Sequence, residues 1–323
     1  MADDHLNAKK AYLIFGAGGL LGKSLLSQIA KSGSVAIGAT GIPWLNSSDT
    51  RQILSRHIHN FAKDFVDFQT SIIWVAGAST LRSSRDTVAT DENSLRIFLE
   101  VASDCFLQGA FVDCAPRIFF ASSAGGVYSK SSSPPFTEMT QASPSSYYGE
   151  AKLRMEEMVL DWATAHRTQY LIGRISSIYG ENQKTHKRQG FLSVLIRNVV
   201  RKQIMDVFAP LGSVRNYVYA SDAANLILRH LSDQTENTRI ANICAPYNST
   251  LASVIQTARS VSKLPVGIRF VAPPAHLTDA PDLRIASTYA NFVDEECRTS
   301  LPVGVKMLLT AELERFRGPN LLA

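Results

Sequence analysis

Ala11-Tyr12-Leu13-Ile14-Phe15-Gly16-Ala17-Gly18-Gly19-Leu20-Leu21-Gly22-Lys23-Ser24-Leu25-Leu26-Ser27-Gln28-Ile29-Ala30 is the stretch that decides the fold. It opens with a short apolar run, Ala11 to Phe15. A glycine cluster follows at Gly16, Gly18, Gly19 and Gly22, matching GxxGxxG. From Leu20 the apolar residues recur at helical spacing, and Gly33 supplies a helix stop. The reading is strand, glycine turn, helix. A phosphate approaches backbone closely only where side chains are absent. A helix N-terminus offers it unpaired N–H groups and partial positive charge. Gly16, Gly18, Gly19, Leu20, Leu21 and Gly22 are therefore candidate dinucleotide-binding residues. One rival exists, because Gly22-Lys23-Ser24 resembles the end of a phosphate-binding nucleotide loop. That pattern needs glycine where this chain has Ala17.

Working outward, apolar strands read at Val35–Gly38, Ser71–Ala76, Arg117–Ala121 and Tyr170–Arg174, with a helical segment over Leu95–Ala102. Strands alternating with helices imply an α/β fold, a doubly wound parallel sheet of Rossmann type covered on both faces. Ala76, ending its strand, joins the candidate cofactor set. After residue 180 the texture changes. Glu181 to Gly190 is polar and basic, and Phe191 to Lys202 is an amphipathic helix candidate. Asn216–Tyr219 reads as a strand, and Ser221-Asp222 is placed to cap a helix running to Leu231. Residues 1–180 are expected to form the NAD(P)-binding domain. Residues 181–323 are expected to build a smaller C-terminal substrate-binding part, with 215–245 returning to the core.

Composition narrows the class. The 323 residues are 45% hydrophobic and 19% charged, as in ordinary globular proteins rather than disordered ones. No apolar run reaches the roughly 18 residues of a membrane span. The N-terminus lacks the form of a signal peptide, so a cytoplasmic location is the expectation. The net charge of +5 suits an anionic small ligand better than a nucleic-acid partner. Cys105, Cys114, Cys244 and Cys297 are scattered, with no metal-ligand spacing, and His57 and His59 lack carboxylate or cysteine company in sequence. No metal is expected.

Tyr148-Gly149-Glu150-Ala151-Lys152 places a tyrosine and a lysine one helical turn apart, on a helix whose packed face runs through Ala151, Met155, Val159 and Trp162. A free phenol, with a pKa of about 10, is a poor acid-base group at neutral pH. An ammonium about 5 Å away, at an effective dielectric of about 20, favours the phenolate by roughly 3 kcal/mol, or about two pKa units. Lys152 can also donate to a cofactor ribose, and Tyr148 and Lys152 both join the candidate cofactor-binding set. Ser122 and Ser123 end the strand Arg117–Ala121 at its carboxyl end, where open α/β sheets bind ligands. A hydroxyl there can hydrogen-bond the substrate oxygen that Tyr148 protonates or deprotonates.

At this point the chain resembles the extended short-chain dehydrogenase/reductases, the NAD-dependent epimerase/dehydratase group. The resemblance rests on six pieces in order: residues 16–22, Ser122-Ser123-Ala124-Gly125-Gly126-Val127-Tyr128, Pro144 to Lys152, Gly173 to Gly180, Arg215 to Asp222, and Asn242-Ile243-Cys244. It implies Tyr148 as general acid/base, Lys152 as its partner and Ser123 (or Ser122) as hydroxyl donor. It implies that Arg215 meets a nucleotide-sugar diphosphate, the alternative being a strand-end salt bridge. It also implies a homodimer paired through the helix carrying Tyr148, for which Met155, Met158 and Trp162 serve either the interface or the core. Departures exist. Ser177 stands where relatives carry Asn. Asp91 stands where they carry Asn in the helix after the fourth strand by the family's count, with Asn93 nearby. Ala124-Gly125 replaces the acidic pair of the dehydratases, which disfavours sugar dehydration.

The expected function is hydride transfer between nicotinamide and a carbon of a nucleotide-linked sugar, by an epimerase or a reductase. A reductase of a non-sugar carbonyl compound and a non-catalytic NAD(P)-binding sensor or scaffold are the alternatives. No acid follows the second strand (Ile37-Gly38-Ala39-Thr40-Gly41), so nothing repels a 2′-phosphate, although no arginine stands ready to bind one. NADP is preferred to NAD on that ground. Lys184-Thr185-His186-Lys187-Arg188, with Arg197 and Arg201, is either an anion clamp or a solvated loop and helix face, and the solvated reading is favoured.

Overall fold

In a computed structural model, the chain is described over residues 9–111, 115–183, 190–233, 238–272 and 280–317. The first half runs β1 (Lys10–Phe15), α1 (Leu20–Lys31), β2 (Val35–Ala39), α2 (Ser47–Asp64), β3 (Gln69–Trp74), α3 (Arg85–Leu107), β4 (Arg117–Ser123), α4 (Ala124–Val127), α5 (Tyr147–Ala165) and β5 (Tyr170–Ile175). The second runs β6 (Ser177–Tyr179), α6 (Phe191–Val200), β7 (Met205–Val207), β8 (Val214–Tyr219), α7 (Ala220–Ser232), β9 (Thr238–Ile243), β10 (Asn248–Thr250), α8 (Leu251–Ser262), β11 (Ile268–Phe270), β12 (Asp282–Leu283), α9 (Ala290–Glu296) and α10 (Leu301–Arg317).

Six parallel strands form the main sheet in the order β2-β1-β3-β4-β5-β9. The chain steps one way from β1 and the other way from β3. That reversal opens a crevice between their carboxyl ends, the usual ligand position in such sheets. The strand preceding α3 is the third in this chain, because α2 alone fills the connection from β2. β1 is apolar from Ala11 to Phe15 since it is covered twice. Ala11, Leu13 and Phe15 face the core under α2, α3 and α5, while Tyr12 and Ile14 face the core under α1, α7 and α9. Phe15, Trp74 and Phe98 form an aromatic cluster, with centroids 4.6–5.7 Å apart.

A third core joins α6, α8 and α10 over Tyr179, Tyr217 and Tyr219. Here β8 pairs with β6, β10 and β12 rather than with the main sheet. α7 and β9 return to the main body, and so does α9 through Phe292 and Val293. Ser221-Asp222 does not cap α7, which follows β8 directly from Tyr219. Asp222 instead accepts from the N–H and hydroxyl of Thr299 at 2.8 and 2.9 Å, tying α7 to the segment before α10.

His230, on α7, is 3% exposed, and its ring meets Tyr289 and Phe292 edge-on at 5.0 Å. Burial lowers its pKa from 6.5 to about 4, with the Arg239 charge adding to the shift. The unfolded chain therefore takes up this proton at a higher pH than the folded one. The neutral ring's contribution is complete above pH 6.5 and is lost as pH falls toward about 4, by about 3 kcal/mol in all. Urea unfolding of His230→Phe should show a shallower loss of stability across that window than the wild-type chain.

Candidate active site

The glycines of the turn do separate jobs. Gly16 has φ +93°, and a Cβ there would lie 2.5 Å from the Ala76 nitrogen and 2.6 Å from the Val75 carbonyl carbon. Only glycine allows β1's end to press against β3's end. A Cβ on Gly22 would lie 2.3 Å from the Gly16 oxygen, so α1 sits directly on the turn. Gly18 is the opposite case. It is exposed, and a Cβ there would meet nothing within 4 Å. Gly19 donates to Gly16 O at 3.0 Å and precedes α1 with no side-chain cap and no acid in the first turn. The N–H groups of Leu20 and Leu21 have no partner within the helix by its geometry. By contrast Asn46, Ser84 and Ser146 cap α2, α3 and α5. An uncapped helix start beside an open glycine fits a pyrophosphate. The nucleotide-loop rival lacks its serine: the Ser24 hydroxyl is buried and donates to Leu20 O at 3.1 Å.

Two strands over from the turn, about 10 Å away, Ser123 ends β4 and caps α4. Its hydroxyl accepts from Gly126 N–H at 3.2 Å, which fixes the side chain and leaves the O–H to donate. Tyr148 lies beside Ser123, whose hydroxyl favours its phenolate. A Cβ on Gly126 would lie 3.1 Å from the Tyr148 ring and 3.3 Å from Ser123 Oγ, so glycine lets the two approach. Lys152 lies one turn further along α5. Its Nζ donates to Ala121 O at 3.0 Å and stands 5.7 Å from the centroid of the Tyr148 ring. The three expected residues thus meet at one strand end.

The electrostatics differ from the expectation that Lys152 draws the phenol toward neutrality. Burial pushes the Tyr148 phenol up, the Ser123 hydrogen bond opposes this, and the Asp91 carboxylate pushes it further up. Lys152 is 8% exposed, and burial lowers its ammonium to about 8 against the pull of Asp91 and Glu156. Asp91, rather than the exposed Asn93, faces the site. It accepts from Ala78 N–H at 3.0 Å, Ser79 N–H at 2.8 Å and the Ser79 hydroxyl, and so pins the loop after β3.

Ser122 stands apart from the site, against the expectation. Neighbours in a strand face opposite sides, and its hydroxyl is 4% exposed and donates to Glu156. Glu156 in turn pairs with Arg174 at 2.7 Å, and Arg174 donates to the Tyr128 hydroxyl at 2.9 Å. This buried network joins β4, α5 and β5 beneath the site, so Ser122 is a scaffold residue. Glu156 was missed in the sequence, although it continues the Tyr148, Lys152 row by one more turn. Met155 and Trp162 lie in the core beneath α3, 2% and 7% exposed, so neither is available to an interface. Arg215 donates to the carbonyls of Val214 at 2.8 Å and Pro281 at 3.3 Å. Ser177 is exposed. His57 meets Thr40 O, and His59 meets Ser55 and Cys105. Residues 184–188 lie outside the described residues. Among the described residues, no helix is long and apolar enough to cross a membrane.

Residues 12–244 match the NAD dependent epimerase/dehydratase family. The chain is similar to dTDP-4-dehydro-6-deoxyglucose reductase of Escherichia coli, at 24% identity over 260 residues, covering 77% of this chain and 81% of that one. Its fold is similar to that of UDP-glucose 4-epimerase from Thermotoga maritima, solved with UDP-glucose, at TM-score 0.77 and 18% identity, covering 95% of this chain and 99% of that one. It is also similar to that of RMD from Pseudomonas aeruginosa, complexed with NADPH, at TM-score 0.74 and 15% identity, covering 95% and 98% of the two chains.

Proposed function

Because the chain belongs to the NAD dependent epimerase/dehydratase family, we propose that it is an NAD(P)-dependent epimerase or reductase of a nucleotide-linked sugar. Ser123, Tyr148 and Lys152 do the proton chemistry. The observation that carries this reading is the meeting of those three residues at the carboxyl end of β4, on the same sheet edge as the open glycine turn. Gly16, Gly18, Gly19, Leu20, Leu21, Gly22 and Ala76 would cradle the dinucleotide. The nicotinamide, when bound, supplies the hydride acceptor or donor. Ser123 donates a hydrogen bond to the sugar oxygen, and Tyr148 takes or gives that oxygen's proton. Lys152 keeps a positive charge beside the phenol. Ala124 and Gly125 follow Ser123 with no acid to drive loss of water, which favours epimerisation or reduction. NADP is preferred because no carboxylate ends β2 to repel a 2′-phosphate. Arg215 contributes to the diphosphate site, and the partner surface for a homodimer is the exposed side of α5.

Incubation with UDP- and dTDP-linked sugars and their keto derivatives tests the reading. An epimerase converts its sugar with no net change in cofactor, whereas a reductase consumes NAD(P)H in step with product. Failure of every sugar in such a panel would sink the proposal. Asp91 supplies a further prediction. Its charge raises both Tyr148 and Lys152, so Asp91→Asn should move both limbs of the pH–rate profile to lower pH. An unmoved profile would mean that neither limb reports these two groups.

A further inference from the structure

We infer that Arg197 is an oxyanion-binding residue of the substrate site, meeting a phosphate or a carboxylate of the nucleotide sugar. The inference rests on the nucleotide-sugar reading above. Arg197 is 8% exposed, yet its Nε and one terminal nitrogen are buried without a hydrogen-bond partner. Contrary to the solvated helix face expected from the sequence, only Arg201 of that pair is exposed. A guanidinium stays charged at any working pH and carries five donors in a planar fork matched to carboxylate and phosphate. Burying one without a counter-charge opposes folding, and a bound oxyanion would supply the missing partner.

The helix explains how the residue is held. Leu192, Leu195, Ile196 and Val199 of α6 turn into the core shared with α8 and α10. At roughly 100° per residue, Ser193 and Arg197 fall together on a second flank, beyond that apolar face. Ser193 is also buried, and its hydroxyl bonds Gln183 in the loop after β6. A long helical side chain tends to lean toward the N-terminus, which for Arg197 is the end of α6 that carries Ser193. β6 follows β5 at the carboxyl edge of the main sheet and pairs with β8, which carries Arg215. Arg197 therefore belongs to the lobe on the ligand-binding edge.

The test is calorimetric titration of the whole chain, loaded with its cofactor, using UDP, UDP-glucose and UDP-glucuronic acid, with thermal melts in parallel. Arg197→Met should melt several degrees higher without ligand, since it removes an uncompensated charge. It should bind the ligand whose oxyanion Arg197 meets at least about 30-fold more weakly, and Arg197→Lys should be intermediate because it lacks the fork. Weakening of all three ligands assigns a diphosphate, and weakening of UDP-glucuronic acid alone assigns a carboxylate. Unchanged affinities overturn the inference and leave the proposed function standing. A Met variant that melts lower or does not fold also overturns it, because a structural partner must then exist. If the wild-type chain binds none of the three, nor dTDP and its sugars, both the inference and the nucleotide-sugar reading fall. Binding without turnover in any sugar would remove the proposed function alone.

Discussion

Lys152→Met should make the protein more stable and nearly inactive. The ammonium is 8% exposed, and its pKa falls from 10.5 to about 8, burial being the largest cause. The unfolded chain holds this proton more tightly than the folded one. Lys152 therefore weakens the fold by about 3 kcal/mol below pH 8, and the penalty fades as pH rises through 8 toward 10.5. Methionine has similar length and no charge. Its carboxylate neighbours keep other partners: Asp91 has Ala78 and Ser79, and Glu156 has Arg174 and Ser122. The variant should gain up to about 3 kcal/mol at pH 7, with the gain gone near pH 10.5. Turnover should drop ~100-fold or more, because the charge beside the phenol is lost. Denaturant melts at pH 7 and pH 10 with parallel rate assays check both halves. A destabilised variant at pH 7 would mean that the bond from Nζ to Ala121 O outweighs the burial penalty.

Tyr148→Phe should lower kcat by roughly 10²- to 10⁴-fold, the usual worth of a positioned acid-base group. Its cofactor affinity should stay within a few-fold of the original. The phenyl ring retains the packing against Gly126, and the glycine turn is two strands away. Only the hydroxyl's interaction with Ser123 is lost. Dinucleotide titration and steady-state rates separate the two effects. Equal loss of binding and turnover would show that the hydroxyl holds the cofactor rather than moving a proton.

How much of this could be read from the chain follows from which residues signal by themselves. β1, the glycine turn and α1 were legible because Gly16 and Gly22 are demanded by backbone contacts that no other residue permits. Tyr148 and Lys152 were legible because helical spacing alone puts them on one face. Ser122 and Ser123 were not separable, since adjacency in sequence hides the alternation that sends one to Glu156 and the other to Tyr148. α2 went unread: the few apolar residues it turns to the core, Leu54, Ile58, Phe61 and Ala62, stand among polar ones. α10 went unread as well, although Pro302 in its first turn is a helix-start signal. The phenol's raised pKa was beyond sequence, because it comes first from burial and then from Asp91, which reaches the site from α3, and both are tertiary. Arg197 had a signal that was passed over. α6 is apolar on most of its circumference, and such helices are buried, charges included.

The central claim is that the Tyr148 phenol moves the sugar's proton as the nicotinamide exchanges hydride. Single-turnover mixing tests it most directly: the cofactor-loaded protein meets the sugar it converts, and reduced-nicotinamide absorbance is followed across a range of pH. The predicted result is a wild-type rate that carries the Tyr148 ionisation, with that ionisation absent and the signal slowed ~100-fold or more in Tyr148→Phe. The same rate and the same pH dependence in both proteins would contradict the account.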